Sequence, residues 1–229
     1  MKRITGKYPA VPYIAPLAIL LLFLGLKDTI PVSPLWQYAG RTILTSAILV
    51  LVSWRWIPWR PSRPPSRPWM SLGIGVVVFA VWIMPDVLWP QYRAHWLFQN
   101  SLTGEAASSI PGHERSSLLL LLFRVFGSVV LVPIVEELFW RGWLIRYIVN
   151  PDFQSVRIGT YTPLAFWLTA VLFASEHGPF WDVGLVAGIL YNWWAGQTGK
   201  LADCILAHAV TNGCLAVYVL GFGQWEYWL

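Results

Sequence analysis

Charge is what this chain has least of. Aspartate, glutamate, lysine and arginine make up 12% of its 229 residues, about half the ~25% of ordinary soluble domains. With 56% hydrophobic residues and a mean hydropathy of +0.55, a soluble globular domain is excluded. Sixteen basic against 11 acidic residues leave a net charge of +5, which fits the basic loops of a membrane protein and makes nucleic acid an unexpected partner. Cysteine is as scarce. Cys204 and Cys214 lie on one apolar segment, about 15 Å apart at ~1.5 Å per helical residue, too far to bond to each other. Neither a disulfide framework nor a cysteine metal site is implied. No Gly-rich phosphate loop and no internal repeat is present. The first apolar run, Ile14 to Leu26, lacks a small-residue cleavage site and reads as a retained helix.

What is present is tryptophan, 16 of them, and a series of apolar segments near the ~20 residues that cross a bilayer. The spans read as 12–27, 40–57, 69–89, 117–149, 162–177, 182–198 and 201–221. The fourth would be about 50 Å long against a hydrocarbon core of ~30 Å, and Pro133 within it removes a helix hydrogen bond. The expected fold is therefore all-α: one integral-membrane domain over 1–229, a polytopic bundle of seven helices, or eight if the fourth breaks at Pro133. Lys2, Arg3 and Lys7 precede the first span; Arg55, Arg60, Arg63 and Arg67 follow the second; Arg146 and Arg157 flank the end of the fourth. The loops at 28–39 and 90–116 are poorer in positive charge, so the N-terminus is expected in the cytoplasm. The stretch "RWIPWRPSRPPSRPW" reads as an extended, Pro-rich cytoplasmic linker with interfacial tryptophans.

Against this background the motif "VPIVEELFWRGW" puts two glutamates and an arginine inside a membrane segment. Each charge at mid-bilayer costs roughly 2.5–3.5 kcal/mol on insertion scales, so each needs a partner or a task. Glu137 and Arg141 are spaced i,i+4 and can pair, while Glu136 is turned aside by about 100°. Two further polar sets lie on later spans: His177 closing "FASEH", four residues after Phe173, and His208 with Asn212 in "HAVTN", again i,i+4. Glu136 and His177 are each about 20 Å from the loop they share, and His208 is roughly 10 Å deep from the same side, so the three sets can converge on one cavity. Of the other polar residues, Arg124 is expected near the far interface, Asp86 to cap a helix or face water, and Glu176 to face outward. Asn192 is a candidate cavity group, and His95 and His113 belong to solvated loop.

EExxxR as "EELFWR", FxxxH as "FASEH" and HxxxN as "HAVTN", in that order on successive apolar segments, resemble the CAAX-protease and bacteriocin-processing (CPBP, or ABI) family, related to the Ras-converting CAAX prenyl proteases. The resemblance covers about residues 117–221. It implies an intramembrane endopeptidase in which Glu136 activates water, His177 works with it, His208 and Asn212 stabilise the oxyanion, and Glu137 and Arg141 support. It also implies a peptide or membrane-protein substrate and a place in the bacterial inner (cytoplasmic) membrane. The short, Trp-rich form resembles the exosortase-associated subgroup, for which a sorting-system partner is expected.

The residues support that chemistry independently. A carboxylate in an apolar cavity is a stronger base, and imidazole and amide N–H groups are oxyanion donors. No cofactor is expected. The alternative is a zinc site of Glu136, His177 and His208, against which stand the absence of an HExxH pairing and the presence of a neutral amide. A serine triad of Ser175, His177 and Asp203 is set aside, because Ser175 and His177 at i,i+2 point to different faces. Two non-hydrolytic readings use the same polar groups: a membrane scaffold or immunity protein of this fold, and a proton-coupled transporter, which would call for an inverted repeat that is not seen.

Overall fold

The computed structural model describes residues 8–27, 29, 31–55 and 64–229. Lys2, Arg3, Lys7, Arg60 and Arg63, and most of the Pro-rich linker, lie outside the described residues. Within them the chain forms seven helices and no strand: α1 Val11–Gly25, α2 Pro34–Ser53, α3 Pro68–Leu88, α4 Leu118–Val149, α5 Pro163–Ser175, α6 Trp181–Thr198 and α7 Leu201–Phe222. Four of these, α2, α3, α4 and α7, are long and apolar enough to cross a membrane, and α1 and α5 are shorter apolar helices. The chain is an all-α, multi-pass membrane bundle. Leucine, valine and tryptophan side chains exposed around α2, α3 and α4 form its outer, lipid-compatible surface.

The second helix begins six residues earlier than its hydropathy suggests, at Pro34 rather than 40. Proline at the first helical turn has no N–H to leave unpaired and its φ is already helical, so it starts the helix despite the polar Gln37 and Arg41 that follow. Gln37 is accounted for by turning back to the carbonyls of Lys27 and Val32 at 3.1 and 3.2 Å.

α4 stays one helix through Pro133, which fixes the count at seven among the described residues. It does so by widening: residues Gly127–Leu131 form a π-helical turn directly before the proline, and Trp140–Leu144 form a second one. With the i→i+5 pattern of such a turn, the carbonyl that Pro133 cannot serve is that of Ser128. The Asn212 amide of α7 donates to that carbonyl at 2.8 Å. A side chain from the last helix thus completes the backbone of the fourth.

Two polar ties set the remaining helices. Asp203, in the first turn of α7, accepts from the backbone N–H groups of Ser66 and Arg67 at 2.8 and 2.9 Å and from both neighbouring serine hydroxyls. It thereby caps the start of α3 from outside. Farther along, α3 and α7 touch at Gly75, where a Cβ would lie 2.6 Å from Val210 Cβ and collide with the Ala207 carbonyl. Thr211 Oγ1 donates to the Gly75 carbonyl at 2.8 Å across that contact. At the opposite end of the bundle, buried Arg93 pairs with Asp86 at 3.2 Å and with Asp182, and donates to the Pro179 carbonyl at 2.8 Å. Tyr227 adds a bond to Asp86 at 2.9 Å. Asp86 is therefore a buttress for the long loop after α3 rather than a cap or a water-facing group.

Candidate active site

The wide turn at Trp140–Leu144 begins just after Glu136 and Glu137, so the two carboxylates sit on the regular segment Val132–Phe139, between two widened turns. Glu137 Oε1 accepts from Arg141 Nη1 at 3.0 Å, and both side chains are fully buried. Arg141 uses its remaining donors on Asn192 Oδ1 at 2.9 Å and the Gly188 carbonyl at 3.2 Å, while its guanidinium carbon lies 4.7 Å from the centroid of Phe173. Asn192 in turn donates to the Phe166 carbonyl at 2.9 Å. Asn192 thus belongs to this buried anchor and lines a separate pocket beside Tyr161 and Phe166, not the cavity that holds Glu136. A fully buried arginine is tolerated only with its donors satisfied in this way.

The same Glu137 oxygen lies 3.0 Å from His208 Nδ1. A carboxylate paired with Arg141 is an acceptor, so Nδ1 carries the proton, and His208 presents Nε2 on its other side. That Nε2 is 4.0 Å from Glu136 Oε2. The ring stacks on Tyr191, with centroids 5.1 Å apart and planes at 24°. Glu137 therefore does more than the pairing with Arg141 that its spacing predicts: it also holds a histidine from α7 in register.

Glu136, His177, His208 and Asn212 all line one cavity of about 390 Å³, whereas Glu137 and Arg141 do not. The Glu136 side chain is 13% exposed, and its buried Oε2 has no hydrogen-bond partner. His177 is not inside a helix, as an apolar run to 177 implies. α5 ends at Ser175, and His177 lies in the turn that follows, directly before the 3₁₀ turn Gly178–Phe180. Its Nδ1 lies 2.8 Å from the Phe173 carbonyl, an acceptor, so Nδ1 again carries the proton and Nε2 is left with its lone pair. Trp82 packs edge-on against this ring at 5.1 Å, and Gly184 leaves it room: a Cβ there would be 3.1 Å from His177 Cγ. Asn212 spends one amide N–H on Ser128 and keeps a second.

Two cavity residues differ from their sequence reading. Glu176 lines the cavity with Glu136 instead of facing away, because the helix that would turn it outward has already ended. Arg124 also lines it, with Nε buried and without an acceptor. Phe173 and Tyr191 carry no charge to betray them in the sequence, yet Phe173 packs against His177 at 4.7 Å and His208 at 6.1 Å. Ser175 bonds to the Leu172 carbonyl and Asp203 to α3, so neither joins His177. Among the described residues, no group of three or more His, Cys, Asp or Glu side chains is gathered to hold a metal ion.

A membrane helix bundle whose buried acid–base groups meet in one interior cavity defines the class. Residues 118–214 match the Rce1-like family, described as Type II CAAX prenyl endopeptidase Rce1-like, in agreement with the CAAX-protease family that the motifs of this segment resemble. The match supports a CAAX-type intramembrane protease at the level of the family. No curated protein and no solved structure matches the chain.

Proposed function

We propose that this protein is a metal-free intramembrane endopeptidase in which Glu136 activates the attacking water. The observation that carries the reading is the division of labour between adjacent glutamates: Glu137 lies outside the cavity and gives its Oε1 to both Arg141 and His208, while Glu136 lines the cavity and is held by neither. Glu136 takes the proton of a water as it attacks the peptide carbonyl. His177, whose Nε2 keeps a lone pair, orients that water and receives or returns the proton as the amine leaves. The second N–H of Asn212, which lines the same cavity, serves as an oxyanion donor.

His208 acts as the second oxyanion donor through Nε2, because its Nδ1 proton is already given to Glu137. Removing one oxyanion donor typically costs ~10²–10³ in rate, so both His208 and Asn212 are expected to matter. The substrate is a peptide or a membrane-protein segment. The protein is placed in the bacterial inner membrane with its N-terminus cytoplasmic, which puts Arg67, Arg157 and Lys200 on the cytoplasmic side.

The test is cleavage of a pool of quenched-fluorescence apolar peptides by the purified protein in neutral detergent. Cleavage by the wild type and its loss in Glu136→Gln, with the thermal unfolding midpoint unchanged, is the expected result. Cleavage that persists in Glu136→Gln overturns the assignment.

A further inference from the structure

His177 sits between two helices rather than inside one. α5 ends at Ser175, α6 begins at Trp181, and the turn between them carries the histidine to the cavity wall. That turn is gripped from another part of the chain, the loop at 92–103 that follows α3. Arg93 Nη1 donates to the Pro179 carbonyl at 2.8 Å and pairs with Asp182 in the first turn of α6. Trp181 Nε1 donates to the Leu97 carbonyl at 3.0 Å, and its ring stacks on Phe98 with centroids 6.0 Å apart. Gly178, at φ +52°, lies so close to the loop that a Cβ would be 2.8 Å from the Thr103 carbonyl oxygen. The loop is stiff at that point. Thr103 Oγ1 donates to the Phe98 carbonyl at 2.8 Å, and Asn100 Oδ1 accepts from the N–H groups of Leu102 and Thr103 at 2.8 and 3.1 Å.

We infer that the loop at 92–103 is a clamp that sets the His177 ring for catalysis, with Arg93 as its positioning residue. The inference rests on the protease reading for the work that His177 does. Arg93 itself is buried outside the cavity, its guanidinium carbon 4.6 Å from the centroid of Phe180 and 5.0 Å from that of Phe98. A buried ion pair is a poor source of stability, since apolar side chains of similar volume often stabilise as much or more. What an arginine adds is direction, because its planar fork holds several acceptors at fixed angles to one another. Here one acceptor is the carbonyl two residues after His177, and the others are carboxylates of α6 and of α3, the latter being Asp86 at 3.2 Å. α3 also supplies Trp82, which lies edge-on to His177 and stacks on Phe180 with centroids 6.3 Å apart. The clamp thus ties the backbone of the histidine turn to the helix that packs on its ring. A displacement of about 1 Å at a reacting group can cost ~10²-fold in rate, so a clamp remote from the chemistry still governs it.

The experiment reads His177 directly and then its rate. In NMR spectra of the full-length protein with isotopically labelled histidine, in neutral detergent, the ring-nitrogen signals of His177 are identified by their loss in His177→Gln. The wild type is expected to show one tautomer there, with the proton on Nδ1, as the bond to the Phe173 carbonyl dictates. In Arg93→Gln the pattern is expected to average over both tautomers while that of His208 stays unchanged. Trp181→Phe, which removes the bond to Leu97 and keeps every buried charge in place, is expected to do the same and gives the readout if Arg93→Gln fails to fold. In cleavage assays Arg93→Gln is expected to lower kcat about tenfold or more with KM within about twofold, and Arg93→Lys to recover part of the loss. Once His177 is alanine, adding Arg93→Gln should change kcat by less than about twofold, because the two residues act as one unit. An unaltered His177 pattern in both variants overturns the inference. So does an equal loss of kcat with and without His177, because Arg93 would then support the fold at large. A His177 pattern that depends on Arg93, in a protein that cleaves no peptide, would leave the clamp standing and remove the protease reading.

Discussion

Glu137 of α4 lies 3.0 Å from His208 of α7, 71 residues on in sequence, and this bond lets the less exposed glutamate position a histidine that lines the cavity. Arg141 holds Glu137 from one side and His208 takes it from the other, so a defect in Glu137 reaches the cavity without any atom of Glu137 entering it.

Replacement of Glu137 is therefore expected to cost both stability and turnover, and replacement of Glu136 turnover alone. Glu137→Gln leaves Arg141 as an uncompensated buried charge, worth ~3–5 kcal/mol, which appears as a lower thermal unfolding midpoint. Peptide cleavage should fall as well, since the group that holds His208 in register is gone. Glu136→Gln should lose at least ~10²-fold in rate at an unchanged midpoint. Equal melting and equal cleavage rates in Glu137→Gln and wild type would show that the bond to His208 carries no function.

Gly184 gives a test of His177 that leaves every polar group in place. A Cβ at this position of α6 would approach His177 Cγ, Cβ and Nδ1 to 3.1–3.2 Å, closer than nearly all real contacts, so the ring must shift. Gly184→Val is expected to lower cleavage by about 10²-fold, on the scale of one misplaced acid–base group, while Gly184→Ala has a smaller effect. Steady-state rates on one peptide, with circular dichroism to verify the fold, decide it. A Gly184→Val enzyme of full activity would remove His177 from the chemistry.

How much of this was legible in the sequence depends on how local each relationship is. The Glu137–Arg141 pair is readable because i,i+4 spacing alone brings the side chains together, and the seven apolar segments are readable because lipid demands them. Asn212 was readable as a cavity residue but not as the donor to Ser128, because that partner exists only where α4 widens ahead of Pro133, and no residue pattern marks a π-turn. Glu176 is misjudged, and His177 is given a helical setting it does not have, for one reason: apolar composition runs on past the point where the helix stops at Ser175. Arg124 at ~18 Å from Glu136 looks interfacial by depth, and only packing shows that it turns inward to the cavity.

The metal-free reading makes a prediction about chelation. His208 Nδ1 is bound to Glu137 and His177 Nδ1 to a carbonyl, and among the described residues no group of three or more His, Cys, Asp or Glu side chains is gathered to hold a metal ion. Dialysis against EDTA and 1,10-phenanthroline is expected to leave the cleavage rate unchanged, and elemental analysis of the purified protein to find well below one zinc per chain. Activity lost on chelation and restored by zinc alone would keep Glu136, His177 and His208 in the site with different roles.

Orientation decides which side of the membrane supplies the substrate. The helix ends that carry Arg55, Arg67, Arg157 and Lys200 lie at one end of the bundle, and the positive-inside rule places that end in the cytoplasm. The cavity extends the other way, toward Lys27 at the end of α1 and the segment Tyr227–Leu229 after α7. Substrate is therefore expected to enter from the non-cytoplasmic side. Single cysteines in a background lacking Cys204 and Cys214 test this in intact cells. Leu102, 95% exposed in the long loop between α3 and α4, should become reactive to an impermeant maleimide as Leu102→Cys. Asp152→Cys, exposed in the loop between α4 and α5, should react only after the membrane is opened. The reverse pattern would invert the bundle and turn the cavity, with its Glu136, toward the cytoplasm.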